Sequence, residues 1–288
     1  MDIDTKQKPK DQRPETINPY GTKAMNLYKY ASPTAFYPLA GRMIPWFAIP
    51  AALLFVAGLY IGFFVAPTDF QQGDAYRIMF IHVPAAWMGM FLYVLMAFYA
   101  GIGWAFNARL ASMMASSISI TGALFTFLSL VTGSLWGKPT WGTWWVWDAR
   151  LTSTLILLFL YVGFISLQAA IDERRRADRA GAVLAIVGVI NVPIIYYSVQ
   201  WWNTLHQGAT IRILGKPTIA PIMLSAMLTM LAACWLYSIA ISLARVRCII
   251  MEREQNANWV NEGVSIPRQT SAGIEHQAKR PAVSGGQL

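Results

Sequence analysis

Two histidines and one run of tryptophans are the residues in this chain whose types and spacing point to chemistry. His82 stands in Ile81-His82-Val83-Pro84 and His206 in Trp201-Trp202-Asn203-Thr204-Leu205-His206-Gln207-Gly208, while the third histidine, His276, lies in the C-terminal tail. Between the first two comes Trp136-Gly137-Lys138-Pro139-Thr140-Trp141-Gly142-Thr143-Trp144-Trp145-Val146-Trp147-Asp148-Ala149-Arg150, with five Trp in its first twelve residues. Neutral imidazole ligates transition metals, haem iron among them. Tryptophan offers a broad apolar face with one N–H donor.

The tryptophan run has two readings. Indole is enriched at membrane interfaces, where its apolar body and its donor each find a suitable medium, so each Trp taken singly is an interfacial anchor. Five so close together exceed what anchoring needs. If Trp141 to Asp148 is helical, Trp141, Trp144, Trp145 and Asp148 share one face, a shelf on which a flat conjugated ligand such as a porphyrin would stack.

The elements that must position these groups follow from composition. The chain has 288 residues, 56% hydrophobic and 13% charged, with a mean hydropathy of +0.41. Soluble domains carry about 25% charged residues, so an ordinary soluble domain is excluded. Six stretches free of Asp, Glu, Lys and Arg, at about 44–66, 83–106, 114–136, 151–171, 180–200 and 219–244, are each long enough for a membrane-crossing helix. The fold class is therefore an all-α integral membrane protein of six transmembrane helices with a Trp-rich external loop. It divides into an N-terminal tail (1–43), a membrane domain (44–244) containing the loop 136–150, and a C-terminal tail (245–288). Both tails are polar, without apolar periodicity, and read as largely disordered. Two Cys with no CxxC pair exclude a disulfide framework, a Cys-based zinc site and a covalently attached c-type haem. Gly58 and Gly62 fit GxxxG and read as internal packing, the hydroxyls of the third span as interhelical glue, and Asn191 with Pro193 as a kink in the fifth span whose freed carbonyl Asn191 could satisfy. With no charge inside these spans, an ion path of the carboxylate kind is not expected.

Eighteen of the 23 Lys and Arg fall in the two tails and the second and fourth loops, which places both termini in the cytoplasm. The basic balance is thus a topology signal, with membrane lipid and not nucleic acid as its counterpart. His82, His206 and the Trp run then share the external side. Two opposed imidazoles would fill both axial positions of haem iron, holding haem without using it in oxygen chemistry. The same pair could bind zinc or copper, with Asp69, Asp74 and Asp148 as the only external acids to complete such a set. Haem propionates would need cations, for which Arg77, Lys138, Arg150 and Arg212 are the external candidates, although such residues also simply anchor span ends. Asp148 reads as an organiser of the loop, through backbone N–H groups or a pair with Arg150, and not as an acid–base catalyst.

The segment WGKPTWGTWWVWDARLTS resembles the WWD signature of haem-handling membrane proteins, and specifically that of the CcmC family of cytochrome c maturation. IMFIHVPAAWM around His82 and WWNTLHQGATI around His206 are similar to the same family, and the likeness covers roughly residues 40–250. The resemblance implies a protein of the bacterial inner membrane with the WWD loop facing the periplasm. It implies haem b ligated axially by His82 and His206, with Trp136, Trp141, Trp144, Trp145, Trp147 and Asp148 as the platform. It also implies association with CcmA, CcmB and CcmD and delivery of haem to the chaperone CcmE. The expected role is binding and transfer, with a permease that moves haem through the bilayer as the alternative. The ATP-using subunit is expected to be another chain, in keeping with the lack of GxxxxGK[ST] here.

Overall fold

In lipid, each backbone N–H and C=O must be satisfied within its own segment, which is why long apolar stretches become helices. The computed structural model describes residues 31–202, 204, 206 and 219–260. Helix α1 is Pro33–Tyr60, continued by a π turn at Ile61–Val65; a 3-10 turn at Asp74–Ile78 leads into α2, Met79–Ala105. Then follow α3 (Arg109–Trp141), α4 (Ala149–Ala170), α5 (Arg174–Gly188), α6 (Asn191–Trp201) and α7 (Pro221–Arg253). With α5 and α6 making one crossing, six segments are long and apolar enough to span a membrane, and no strand occurs among the described residues. The chain is an all-α, multi-pass membrane protein.

Helices in lipid associate through close packing and interhelical hydrogen bonds, and both are visible here. A Cβ on Gly58 would stand 2.7 Å from Sδ of Met230 in α7, and one on Gly62 2.7 Å from the ring of Phe80 in α2. The GxxxG pair therefore seats α1 within the bundle. Ser117 in α3 donates to the Ser242 carbonyl in α7 at 2.7 Å, and Tyr161 in α4 donates to the Gly89 carbonyl in α2 at 2.8 Å. Beneath the end that carries the Trp segment, Met88, Leu92, Tyr93, Met96, Ile118, Tyr161 and Phe164 form a filled core.

Three boundaries differ from the sequence expectation. Helix α1 starts at Pro33, inside the stretch read as tail, because Ser32 caps it through the Ala35 N–H and Pro suits the first turn. Arg42 and Pro38 interrupt the apolar run there but not the helix. At the other end, α7 continues through Arg253 because its arginines find partners. Arg245 donates to the Ser117 carbonyl and Thr121 Oγ1, both at 2.8 Å, Arg247 lies 4.3 Å over the Tyr37 ring, and Arg253 pairs with Asp178. The stretch 219–244 itself carries no charge, and the three arginines lie on the helical turns that follow it. The fifth crossing breaks at Val189–Ile190 as its Pro suggested, but the Asn191 amide does not satisfy a freed carbonyl of its own helix. It donates to the Ser153 carbonyl of α4 at 2.8 Å. Residues 1–30 and 261–288, including His276, lie outside the described residues, as do 207–218 with Arg212.

Candidate functional site

The site begins with His82. The 3-10 turn starts α2 early, so His82 sits inside its first turn and not just ahead of the helix. Its Nδ1 lies 3.0 Å from the Ser129 carbonyl and 3.2 Å from Thr132 Oγ1 in α3. A carbonyl oxygen only accepts, so Nδ1 carries a proton, and in the neutral ring Nε2 then keeps the lone pair that a metal ligand needs. The Trp136 ring meets His82 edge-on at 5.8 Å, and the Trp136 N–H donates to Gln72 Oε1 at 2.8 Å. Gly133 makes room for this imidazole, since a Cβ there would stand 2.9 Å from its Cε1.

The Trp segment departs from the helical expectation. Helix α3 ends at Trp141, Gly142 takes a left-handed φ of 77°, and the chain runs without helix until Asp148 starts α4. Gly is suited to this C-terminal turn because it carries no Cβ. The result is that Trp141, Trp144, Trp145 and Asp148 do not share a helical face. Trp141 packs on His206 with ring centroids 4.9 Å apart, Trp145 and Trp147 meet edge-on at 5.4 Å, and Lys138 Nζ lies 5.9 Å from the Trp144 ring. Trp144 and Trp147 are 53% and 75% exposed, whereas the Trp145 N–H is buried with no hydrogen-bond partner among the described residues.

Asp148 is the organiser that the sequence suggested. Its Oδ1 accepts from the Leu151 N–H at 2.8 Å as the N-cap of α4, and its Oδ2 faces His206 Nδ1 at 3.6 Å. That separation exceeds a hydrogen bond, and both atoms are buried without one among the described residues. Burial lowers the His206 pKa from its ordinary 6.5 to about 4, with the Arg150 guanidinium adding to the effect and Asp148 opposing it. His206 is thus held neutral near pH 7, the form that binds a metal.

His82, His206 and Arg150 line one cleft of about 550 Å3, counting its opening to solvent, together with Met90, Leu130, Leu157 and Ile195. A smaller space of about 230 Å3, lined by Trp141, Trp144, Trp145 and Asp148, adjoins it and shares Gly133 and Leu151. Apolar walls with a few convergent polar groups are typical of ligand sites. Two neutral imidazoles and one guanidinium suit an iron porphyrin carrying acidic side chains. No three of His, Cys, Asp or Glu cluster among the described residues, so none of these completes a zinc or copper ligand set around the two histidines.

Arg77 takes no part in this cleft. Its guanidinium is spent on Asp74 Oδ1 at 3.0 Å, the Gly62 carbonyl at 2.8 Å and the Ala66 carbonyl at 3.0 Å, closing the turn between α1 and α2. In the sequence Ser129 and Thr132 look like packing hydroxyls and Gly133 carries no mark of its own. Their position three to four residues apart on α3 was the one available signal, and it names no ligand.

The model of the family CcmC, Heme exporter protein C, matches residues 26–261. Heme exporter protein C of Escherichia coli K12 is 48% identical over 236 residues, 82% of this chain and 95% of that protein. Heme exporter protein C of Bradyrhizobium diazoefficiens is 45% identical over 229 residues, 80% of this chain and 87% of that protein. A putative cytochrome c biosynthesis ccmC-like mitochondrial protein of Marchantia polymorpha is 48% identical over 157 residues, 54% of this chain and 66% of that protein. A family match over most of the chain, joined to a six-span bundle whose two cleft histidines flank a WWD segment, gives the conclusion that the chain belongs to the Heme exporter protein C family.

Proposed function

We propose that this protein takes part in haem export for cytochrome c maturation by holding haem b at the periplasmic face of the bacterial inner membrane and passing it to the chaperone CcmE. Haem is the cargo, and the observation that carries the reading is that His82 and His206 line a single cleft beside the Trp segment. In this reading the two imidazoles take the axial positions, Arg150 meets a propionate, and the Trp segment supports the porphyrin. Axial saturation keeps the iron from oxygen chemistry during transfer. The chain's own contribution is proximity and orientation, without an acid–base centre. CcmA, CcmB and CcmD are its partners in the assembly, ATP is used by another subunit, and both termini face the cytoplasm, as the Lys and Arg distribution favours.

The permease alternative asks for a path through the bundle. The close-packed Tyr93, Met96, Tyr161 and Phe164 beneath the cleft favour external loading instead. Co-production with CcmE tests the choice. His82→Ala and His206→Ala should each abolish haem-loaded CcmE, and Trp145→Ala should reduce it. Undiminished loading in the histidine variants would contradict the proposal.

A further inference from the structure

At the end of the bundle opposite the haem cleft, a groove of about 510 Å3, counting its opening, runs between α3, α4, α7 and the start of α5. Ser116 on this groove and Ser129 on the cleft are both in α3, about 20 Å apart along its axis. The groove's walls are Ile120, Ile165 and Ile249, with Ile120 45% exposed on the flank that faces the bilayer, and its mouth is charged. Two kinds of ion pair meet there. Arg253 grips Asp178 through two contacts of 2.8 and 3.0 Å and is largely buried, so it forms a fixed floor. Arg174 meets Glu252 through one contact of 2.8 Å, with both side chains more than half exposed. Exposed single pairs of this kind contribute little and open readily.

We infer that this groove binds a zwitterionic phospholipid of the phosphatidylethanolamine type, its acyl chain along the three isoleucines and its headgroup between Arg174 and Glu252. The mouth offers one cation and one anion within reach of a single headgroup, which suits a phosphate joined to an ammonium. A phosphate there also lies at the first turn of α5. That turn's N-cap, Glu173, makes no side-chain bond to it and is paired with Arg176 instead. A purely anionic lipid would satisfy Arg174 but leave Glu252 unpaired beside it. Basic pockets between membrane helices are known lipid sites, and the carboxylate here changes the class of lipid selected. The inference does not depend on haem.

Native mass spectrometry of the full chain in mild detergent tests it, with palmitoyl-oleoyl phosphatidylethanolamine, the matching phosphatidylglycerol and inorganic phosphate as probes. The ethanolamine lipid should be retained over the glycerol lipid by about five-fold, the gain of one additional charge pair. Arg174→Ala and Ile120→Trp should each lose that adduct, and Glu252→Gln should bind the two lipids alike, all with unchanged melting of the protein. Equal retention of both lipids by the unaltered protein would overturn the inference. So would an ethanolamine-lipid adduct that survives Arg174→Ala and Ile120→Trp, or an adduct formed by inorganic phosphate alone.

Discussion

Asp148 Oδ2 lies 3.6 Å from His206 Nδ1, while Oδ1 of the same carboxylate starts α4 through the Leu151 N–H at 2.8 Å. One buried side chain therefore fixes both the helix carrying Arg150 and the electrostatic surroundings of a cleft histidine. Asp148→Asn retains a capping oxygen but loses the charge facing His206. It is expected to melt close to the unaltered protein and to retain less haem. Asp148→Ala loses the cap as well, at about 1 kcal/mol. Thermal melting beside the ratio of haem to protein checks both, and full haem content in Asp148→Asn would count against the role assigned here.

The low pKa of His206 has a sign that can be measured in haem-free protein. Its folded value of about 4 lies below the ordinary 6.5, so the unfolded chain takes up the proton first as pH falls. The contribution to stability made by keeping His206 neutral is lost as pH falls from 6.5 to about 4. The slope is at most about 1.4 kcal/mol per pH unit. Magnetic resonance of histidine-labelled protein in detergent should place the His206 midpoint near 4, under the combined influence of burial, Arg150 and Asp148. A midpoint at 6.5 would show that the loop leaves the imidazole in water.

Gly133→Ala tests the seat of His82. Alanine favours a helix over glycine by about 1 kcal/mol, so the helix itself should not suffer. Its Cβ would stand 2.9 Å from His82 Cε1, too close for an undisturbed ring, and the ring must leave its bond to the Ser129 carbonyl. The expected outcome is reduced haem content in a protein that melts no lower. Unchanged haem binding would mean that His82 has freedom to move that the packing does not suggest.

The six-span layout was legible in the sequence because bilayer thickness imposes a length on apolar runs that composition reveals directly. The helix ends were not. Arg245, Arg247 and Arg253 look like the beginning of a tail until Ser117, Tyr37 and Asp178 are seen beside them. At the site, residue type and spacing were enough to single out His82, His206 and the Trp segment, since the chain has only three His and gathers five of its 12 Trp into residues 136–147. Conformation was not, because Gly142 ends α3 where periodicity alone continues it. Arg77 and Arg150 look equivalent as flanking cations, and only tertiary placement separates them. One closes a turn, and the other lines the cleft.

That separation predicts opposite outcomes for the two arginines. Arg77→Gln removes donors from the Gly62 and Ala66 carbonyls, so it should lower the melting temperature, by about 1–3 kcal/mol of stability, and leave the haem spectrum of the folded protein unaltered. Arg150→Gln should weaken haem retention with a smaller effect on melting. Titration of detergent-solubilised variants with haem, read beside their thermal melts, distinguishes these results from the reverse pattern.

The central claim is that His82 and His206 hold haem together across one cleft. Its most direct test is the visible absorption spectrum of the protein purified in mild detergent, beside the double variant His82→Ala/His206→Ala. A low-spin, six-coordinate haem spectrum in the unaltered protein, absent from the double variant, is the predicted result. Haem occupancy and spectrum unchanged in the double variant would contradict it.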